Sequence, residues 1–515
     1  MNVGAISSSN RLAAEAAYKI MVEGGNAFDA AICATAVLAV VEPANSGIGG
    51  GGFWLLKKGN ESDVVMIDSR EESAANIDPK LYKKDRTLSK VGCHACAIPG
   101  LPAALDYINK EYGSLSLERC LKDAIDYAKN GFIVDQEFQR LANARIGVLK
   151  LCPDIQEMFL YKGETPPVGH RIIQKDLAAT LKLISKFGHD GFYKGEVAQK
   201  LVDGVCDTGG LWTLEDLNNY KIKKKQPLKM NYRNAIINTV NSPSSGGAQL
   251  LLMLKIIDSI EEQLKPKTYT DELHLLLEAM YKSHYYRDKY LSDCDDISSH
   301  ISDQTLELLT KGINLNLIDR PIKQCHRKKD YSEQTTHLSI IDKYGNCVSA
   351  TLSCNFQFGS CIIPKGTGVV LNNQISDFSF RSSSPNYIGP RKRPLSNMTP
   401  CLIETDDYIY LIGTPGGIRI SSMIFLSVLF LVNNPELAES VVDLPRFHHE
   451  YYPDVVEIEP GIFPQLLMES LENRGHKIVS IGRQFGNMQV VIFDKKYQRS
   501  LAITDKRYAG HAIAG

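Results

Sequence analysis

Apolar residues recur at helical spacing between residues 10 and 43, first from Arg11 to Met21 and then from Ala27 to Val41. Gly24-Gly25-Asn26 interrupts that pattern and Pro43 ends it. The residues from Met1 to Gly4 lead straight into the first helix. A glycine-rich run, Ser46 to Gly52, then hands over to a strand-like Phe53-Trp54-Leu55-Leu56. Residues 101–330 read mainly as helix, including a charged one from Thr270 to Tyr290.

The texture changes at Thr335. Alternation over 335–341, a turn at Lys343-Tyr344-Gly345-Asn346, and alternation over 347–353 predict a hairpin. Centring that turn on Tyr344 sets Thr335 opposite Ser353 and His337 opposite Thr351. Directly opposed Cβ atoms lie about 4.5–5.5 Å apart, so two hydroxyls face each other at the open end. Further strands are predicted at 368–371, 399–403, 408–412, 455–457, 490–493 and 500–503, with helices at 418–432 and 466–474. The pattern describes a mixed α+β chain whose sharpest boundary lies near residue 330.

The 515 residues are 43% hydrophobic and 23% charged, with 58 basic against 59 acidic side chains, as in an ordinary soluble globular protein. A net charge of −1 offers no excess cation for nucleic acid or an acidic membrane surface. Lys223-Lys224-Lys225, with Lys221 nearby, reads as a solvated loop. No signal peptide is visible, and the apolar run from Ile420 to Val432, which holds three serines, is too short to span a bilayer. The 12 cysteines are scattered. Cys93-His94-Ala95-Cys96 is their one close pair; with no second pair at zinc spacing it reads as strand core. Sequons at Asn60 and Asn397 are too few to argue for secretion. The expected location is cytoplasmic, or extracellular or periplasmic if a leader has been removed.

Gly413-Thr414-Pro415-Gly416-Gly417 follows an apolar strand and opens an apolar helix. Backbone N–H groups left uncovered there, at the positive end of a helix, suit an anion or an oxyanion. Nucleotide-loop spacing is absent. Taken alone, Arg70-Glu71 reads as a surface charge pair and His448-His449 as surface or core.

These residues, taken together, resemble a family. Thr335-Thr336-His337-Leu338-Ser339, Asn372 to Phe378, Lys392 to Ser396 and Gly413 to Gly417 are similar to motifs of the γ-glutamyltransferases. So are Gly24 to Ala31, Glu42-Pro43 through Phe53, and Leu214 to Tyr220, which spreads the resemblance over essentially the whole chain. It implies a four-layer αββα sandwich of the N-terminal nucleophile hydrolase type. It also implies a precursor cut between Gln334 and Thr335 into a large chain, 1–334, and a small catalytic chain, 335–515, which stay together as a heterodimer within one domain.

In that scheme Thr335 is the nucleophile and its own freed α-amine, titrating near 7.7–8.0, is the base, so no triad is needed. Gly416 and Gly417 supply the oxyanion hole, Ser353 hydrogen-bonds the nucleophile, and His337 is structural. Arg70 binds the α-carboxylate of the γ-glutamyl group, bidentate geometry suiting it. Asn355, Gln374 and Asp377 hold the α-ammonium, and Ser396 and Asn397 clamp the carboxylate. The chain departs from the family pattern in four places. Ser353 stands where Thr is usual, Asn397 stands where a second clamping Ser is usual, Ser376 stands where Asp is common, and the segment from Phe378 to Arg393 is shorter than in members with a lid. No metal or organic cofactor is implied. The implied donors are glutathione and related γ-glutamyl compounds, and the acceptors are water, amino acids or peptides. Two alternatives remain, a cephalosporin- or glutaryl-type amidase of the same fold and a catalytically silent binding paralogue.

Overall fold

The computed structural model describes residues 3–294, 296–320 and 334–515. Two antiparallel sheets stack face to face. The first runs His511–Ala514, Gly4–Ser8, Thr336–Asp342, Cys347–Ser353, Gly51–Lys57, Val64–Ser69, Lys223–Lys225. The second runs Arg499–Thr504, Gln489–Asp494, Tyr408–Gly413, Cys401–Glu404, Ala235–Thr239, Leu228–Tyr232. Residues from both sides of the expected cut contribute strands to both sheets.

The period-2 alternation of the strands assigns their faces. In the first sheet Ile6, Trp54, Leu56, Ile67, Leu338, Ile340 and Val348 join one core with the helices Arg11–Val22, Ala27–Val41, Leu101–Tyr112 and Leu117–Asn130. Ala5, Phe53, Leu55, Met66 and Ile341 turn the other way, into a core shared with the second sheet and the helices Gly246–Leu264, Tyr269–Tyr290 and Ile420–Asn433. The layers are therefore helix, sheet, sheet, helix. Ala27–Val41 is buried at every position and starts on a reciprocal cap in which Asn26 accepts from Phe28 and Asp29 N–H groups and Asp29 accepts from Asn26 N–H.

The seam between the sheets is partly polar. His337 lies there, its ring nitrogens 2.8 Å from Thr351 Oγ1 and 3.0 Å from Ser339 Oγ. Ser339 donates to Leu411 O, and Ser7 to Gln489 Oε1 and Ile503 O. Gly413 allows this close approach, because a Cβ there would sit 2.2 Å from the His337 ring.

Several sequence expectations are corrected. Gly4–Ser8 is a strand of the first sheet instead of a lead-in to helix. Lys223–Lys225 is that sheet's edge strand, where lysines discourage pairing with another chain. Cys93–Ala95 is a 3-10 turn, with both cysteines of the motif buried and free. Residues 368–371 join no sheet, and Gly368 has φ 65°; Leu371 N–H donates to Ile362 O, and Leu371 O accepts from Ser360 N–H. Strands Leu228–Tyr232 and Ala235–Thr239 interrupt the stretch read as helical. His448 and His449 lie in the buried strand Phe447–Glu450, in keeping with the core placement among those expected. The part of the expected helical stretch at 321–330 lies outside the described residues. Among the described residues no helix is long and apolar enough to cross a membrane.

Candidate active site

The hairpin register is the expected one. His337 pairs with Thr351 and Thr336 with Leu352, so the ladder's next step sets Thr335 against Ser353. Asp342 fixes the turn by accepting from Tyr344 and Asn346 N–H groups, and its other carboxylate oxygen accepts from Ala27 N–H. At the open end both hydroxyls converge on one carbonyl. Thr335 Oγ1 donates to Gln334 O at 2.7 Å and Ser353 Oγ donates to the same oxygen at 2.8 Å. Asn355 N–H donates to Ser353 Oγ at 2.8 Å, which fixes the direction of that hydroxyl's own proton. Thr335 is 7% exposed.

The two predicted oxyanion glycines lie beside Thr335 where the second sheet feeds its helix. Gly416 has φ 141° and Gly417 φ 58°, backbone that L side chains rarely adopt. They precede Ile420–Asn433, whose N-terminus carries the positive end of the helix dipole.

A cavity of about 280 Å³ opens next to Thr335. Thr335, Ser353, Gly417, Arg70, Asn355, Gln374, Asp377, Ser396 and Asn397 all line it. Arg70 follows the strand Val64–Ser69 and is 1% exposed. It donates from Nη2 to Asp377 Oδ2 at 2.6 Å and to Leu395 O, and from Nε to Pro394 O. The neighbouring arginine, Arg393, bonds Asp68 at 2.9 Å, so the segments around Arg70 and Arg393 brace each other. Burial pushes the Asp377 carboxyl up, and Arg70 opposes that shift. Asn355, held at φ 78°, donates to Ser376 Oγ, Asn373 O and Asp377 Oδ1. Gln374 Oε1 and Asn397 Oδ1 are buried without a hydrogen-bond partner among the described residues. A buried acceptor such as Gln374 Oε1 is costly unless a donor arrives, and the α-ammonium of an amino acid is such a donor.

Glu71 lies against Arg70 without lining the cavity. The Arg70-Glu71 pair is fully buried, not a surface pair; Glu71 Oε2 lies 3.5 Å from Arg70 Nη1 and burial pushes its carboxyl up to about 7. The cations Arg86, Lys90, Arg287 and Arg381, which also line the cavity, carried no sequence signal, since they come from three separate segments. The short segment after Phe378 forms part of the cavity wall, with Ser379, Arg381 and Asn386 among the lining residues, and Phe378, Phe380 and Ile388 cluster with Tyr82, whose ring stacks on Phe380 at 5.3 Å. No group of three or more His, Cys, Asp or Glu side chains among the described residues could hold a metal ion.

Residues 13–515 match the gamma-glutamyltranspeptidase family. The chain belongs to that family. Among curated relatives, the glutathione hydrolase proenzyme of a Pseudomonas species is 32% identical, over 92% of this chain and 86% of that protein. Among solved structures, cephalosporin acylase from Bacillus halodurans superposes with a TM-score of 0.88 at 26% identity, covering 99% of this chain and 96% of the other. Helicobacter pylori gamma-glutamyltranspeptidase superposes with a TM-score of 0.58 at 29% identity, covering 63% of this chain and 97% of that one. The sandwich of this gamma-glutamyltranspeptidase-family enzyme is thus of the N-terminal nucleophile hydrolase type.

Proposed function

We propose that the chain cuts itself between Gln334 and Thr335 and then acts as a γ-glutamyltransferase and hydrolase, with glutathione and related γ-glutamyl compounds as donors. The observation that carries this reading is the pair of hydroxyls on the Gln334 carbonyl at the head of the Arg70–Asp377 pocket. Cleavage leaves Thr335 with its hydroxyl and a free α-amine on one residue, and the amine is basic enough to take the hydroxyl proton near neutral pH. Thr335 Oγ1 then attacks the γ-carbonyl of the donor. Gly416 and Gly417 N–H groups receive the oxyanion, the leaving amine takes the proton, and a γ-glutamyl ester remains on Thr335.

Arg70 and Ser396 take the α-carboxylate of the donor, with Asn397 in the position of the second clamping residue. Asp377, Gln374 and Asn355 take the ammonium. Arg70 and Asp377 bind each other; a zwitterionic head group replaces that pair with one partner for each charge, which avoids leaving either unpaired. Water, an amino acid or a peptide then releases the acyl group. The short segment after Phe378 forms part of the pocket wall, and a pocket without a long lid admits water and bulky acceptors.

A denaturing intact-mass measurement tests the reading. The expected result is one chain ending at Gln334 and one beginning at Thr335, while Thr335→Ala stays whole. A folded wild-type chain that remains uncut would overturn it. A second reading, an amidase for glutaryl-type side chains, draws on the cephalosporin acylase likeness and on Asn397. A donor panel separates the two: turnover of a glutaryl but not of a γ-glutamyl anilide favours the amidase. The Arg70–Asp377 pair favours the γ-glutamyl donor, because a glutaryl group brings no ammonium for Asp377.

A further inference from the structure

The amine that serves Thr335 during turnover does not exist before the cut, because until then it is the amide nitrogen of the bond to be broken. In the uncut chain the Thr335 hydroxyl donates to the carbonyl oxygen, and attack on the carbonyl carbon requires that proton to go elsewhere. A second cavity, of about 50 Å³, shares only Thr335 with the Arg70 pocket. Ser9, Glu42, Asn45, Gln334, Thr335 and Gly416 are among its lining residues, and its volume is enough for water.

Two carboxylates face that cavity. Glu137 already accepts two guanidinium N–H bonds from Arg140, at 2.8 and 2.6 Å. Glu42 instead ends the helix Ala27–Val41, and its Oε2 accepts from Ser9 Oγ at 3.0 Å and Asn45 Nδ2 at 3.4 Å. Ser9 Oγ lies 2.5 Å from Thr336 Oγ1, on the residue after the nucleophile. We propose that Glu42, through a water in this cavity, takes the Thr335 hydroxyl proton during self-cleavage and returns it to the departing nitrogen, with Ser9 and Asn45 orienting its carboxylate. This inference rests on reading Thr335 as the self-cleaving residue.

The steps balance. Thr335 Oγ1 bonds to the Gln334 carbonyl carbon while its proton passes by way of water to Glu42, and the Ser353 hydroxyl donates to the resulting oxyanion. The C–N bond then breaks, and the proton on Glu42 returns to the Thr335 nitrogen, leaving an ester and a free amine. A further water attacks the ester carbon, the C–Oγ1 bond breaks, and the products are the Gln334 carboxylate and the Thr335 hydroxyl, with one proton released.

Burial pushes the Glu42 carboxyl up to about 7; the neighbouring Glu137 adds to that shift, and the Ser9, Asn45 and Thr336 hydrogen bonds oppose it. Arg140, Arg483 and Tyr508 are the other ionisable groups lining the cavity. A base with that profile works above neutrality, so self-cleavage is expected to accelerate as pH rises through about 7 and then level off.

The test follows freshly synthesised full-length chain by denaturing gel from pH 5.5 to 9. Glu42→Gln is expected to cut at least ~10-fold more slowly at pH 8 and to lose the rise near neutrality, whereas Glu42→Asp keeps a sigmoidal profile. Wild-type rate and profile in Glu42→Gln would overturn the inference. Should Glu42→Gln melt below the assay temperature, Ser9→Ala carries the test. Losing one hydrogen bond to the carboxylate should move the profile to higher pH and lower the melting temperature by a few degrees, and an unmoved profile would overturn the inference. A wild-type chain that never cuts sinks the self-processing reading itself. A wild-type chain that cuts as fast as Glu42→Gln sinks only the role of Glu42.

Discussion

Ser353→Ala removes one oxygen atom and separates two effects that the structure joins. The Ser353 hydroxyl donates to the Gln334 carbonyl at 2.8 Å and accepts the Asn355 N–H at 2.8 Å. As Thr335 attacks, the carbonyl oxygen gains negative charge, and losing one aligned donor to such an oxygen costs about 10²–10³ in rate, or about 2.7–4 kcal/mol. The buried Asn355 N–H loses its partner as well, at about 1–3 kcal/mol of stability, which lowers the melting temperature by a few degrees. Ser353→Thr keeps the hydroxyl and should cut close to the wild-type rate. The assay is a time course of the mass of the chain beginning at Thr335, with thermal melts of each uncut variant. Should Ser353→Thr slow as much as Ser353→Ala, the loss of the donor is not the cause. A Ser353→Ala chain cutting within about twofold of wild type would equally refute the calculation, because ~10²-fold is its lower bound.

Gly416→Ala should disable turnover and cost about 1–3 kcal/mol of stability, since its φ of 141° strains any side chain and the added Cβ would lie 2.6 Å from Met423 Cε; chemical denaturation and a donor assay read the two effects. Arg70→Lys should raise KM far more than it lowers kcat, because a single ammonium cannot serve Asp377, Pro394 O, Leu395 O and a substrate carboxylate together; an unchanged KM would exclude Arg70 from substrate binding. Burial holds His337 at about 3 and His476 at about 2. Each therefore costs about 1.4 kcal/mol of stability per pH unit as pH falls below about 6.5. Glu42 and Glu71, raised to about 7, have the opposite sign and add stability between pH 7 and about 4.5. Denaturant midpoints should thus stay nearly level from pH 6.5 to 4.5 and drop below that, while Glu71→Gln should make the decline begin near 6.5.

The Thr335 hairpin was legible in the sequence, because strict alternation on both sides of a short turn fixes register, and register alone sets Thr335 against Ser353. Motifs singled out Arg70, Asp377 and Gly417, which line the cavity with Thr335. Strands without an apolar face were not legible: Lys223–Lys225 lies at a sheet edge, where polar side chains are favoured, and its pairing with Val64–Ser69 is set by tertiary contact. The 368–371 segment has a strand's composition, but its backbone bonds run through Leu371 to Ser360 and Ile362 and no sheet forms around them. Glu42 and Glu71 were hidden for another reason. Their roles come from burial and from partners far along the chain, such as Thr336 and Gln374, and no local pattern announces either.

The first and last strands of the chain lie side by side, Gly4–Ser8 against His511–Ala514, and Val3 N–H donates to Gly515 O. Val3 and Gly515 therefore lie within hydrogen-bond distance of each other. A circularly permuted gene could join Gly515 to Val3 through a short linker and start translation at Thr335. Once the initiator methionine is removed, such a protein would be born with the threonine amine already free. It would separate assembly of the sandwich from bond scission, and turnover could be measured in variants that can never process themselves.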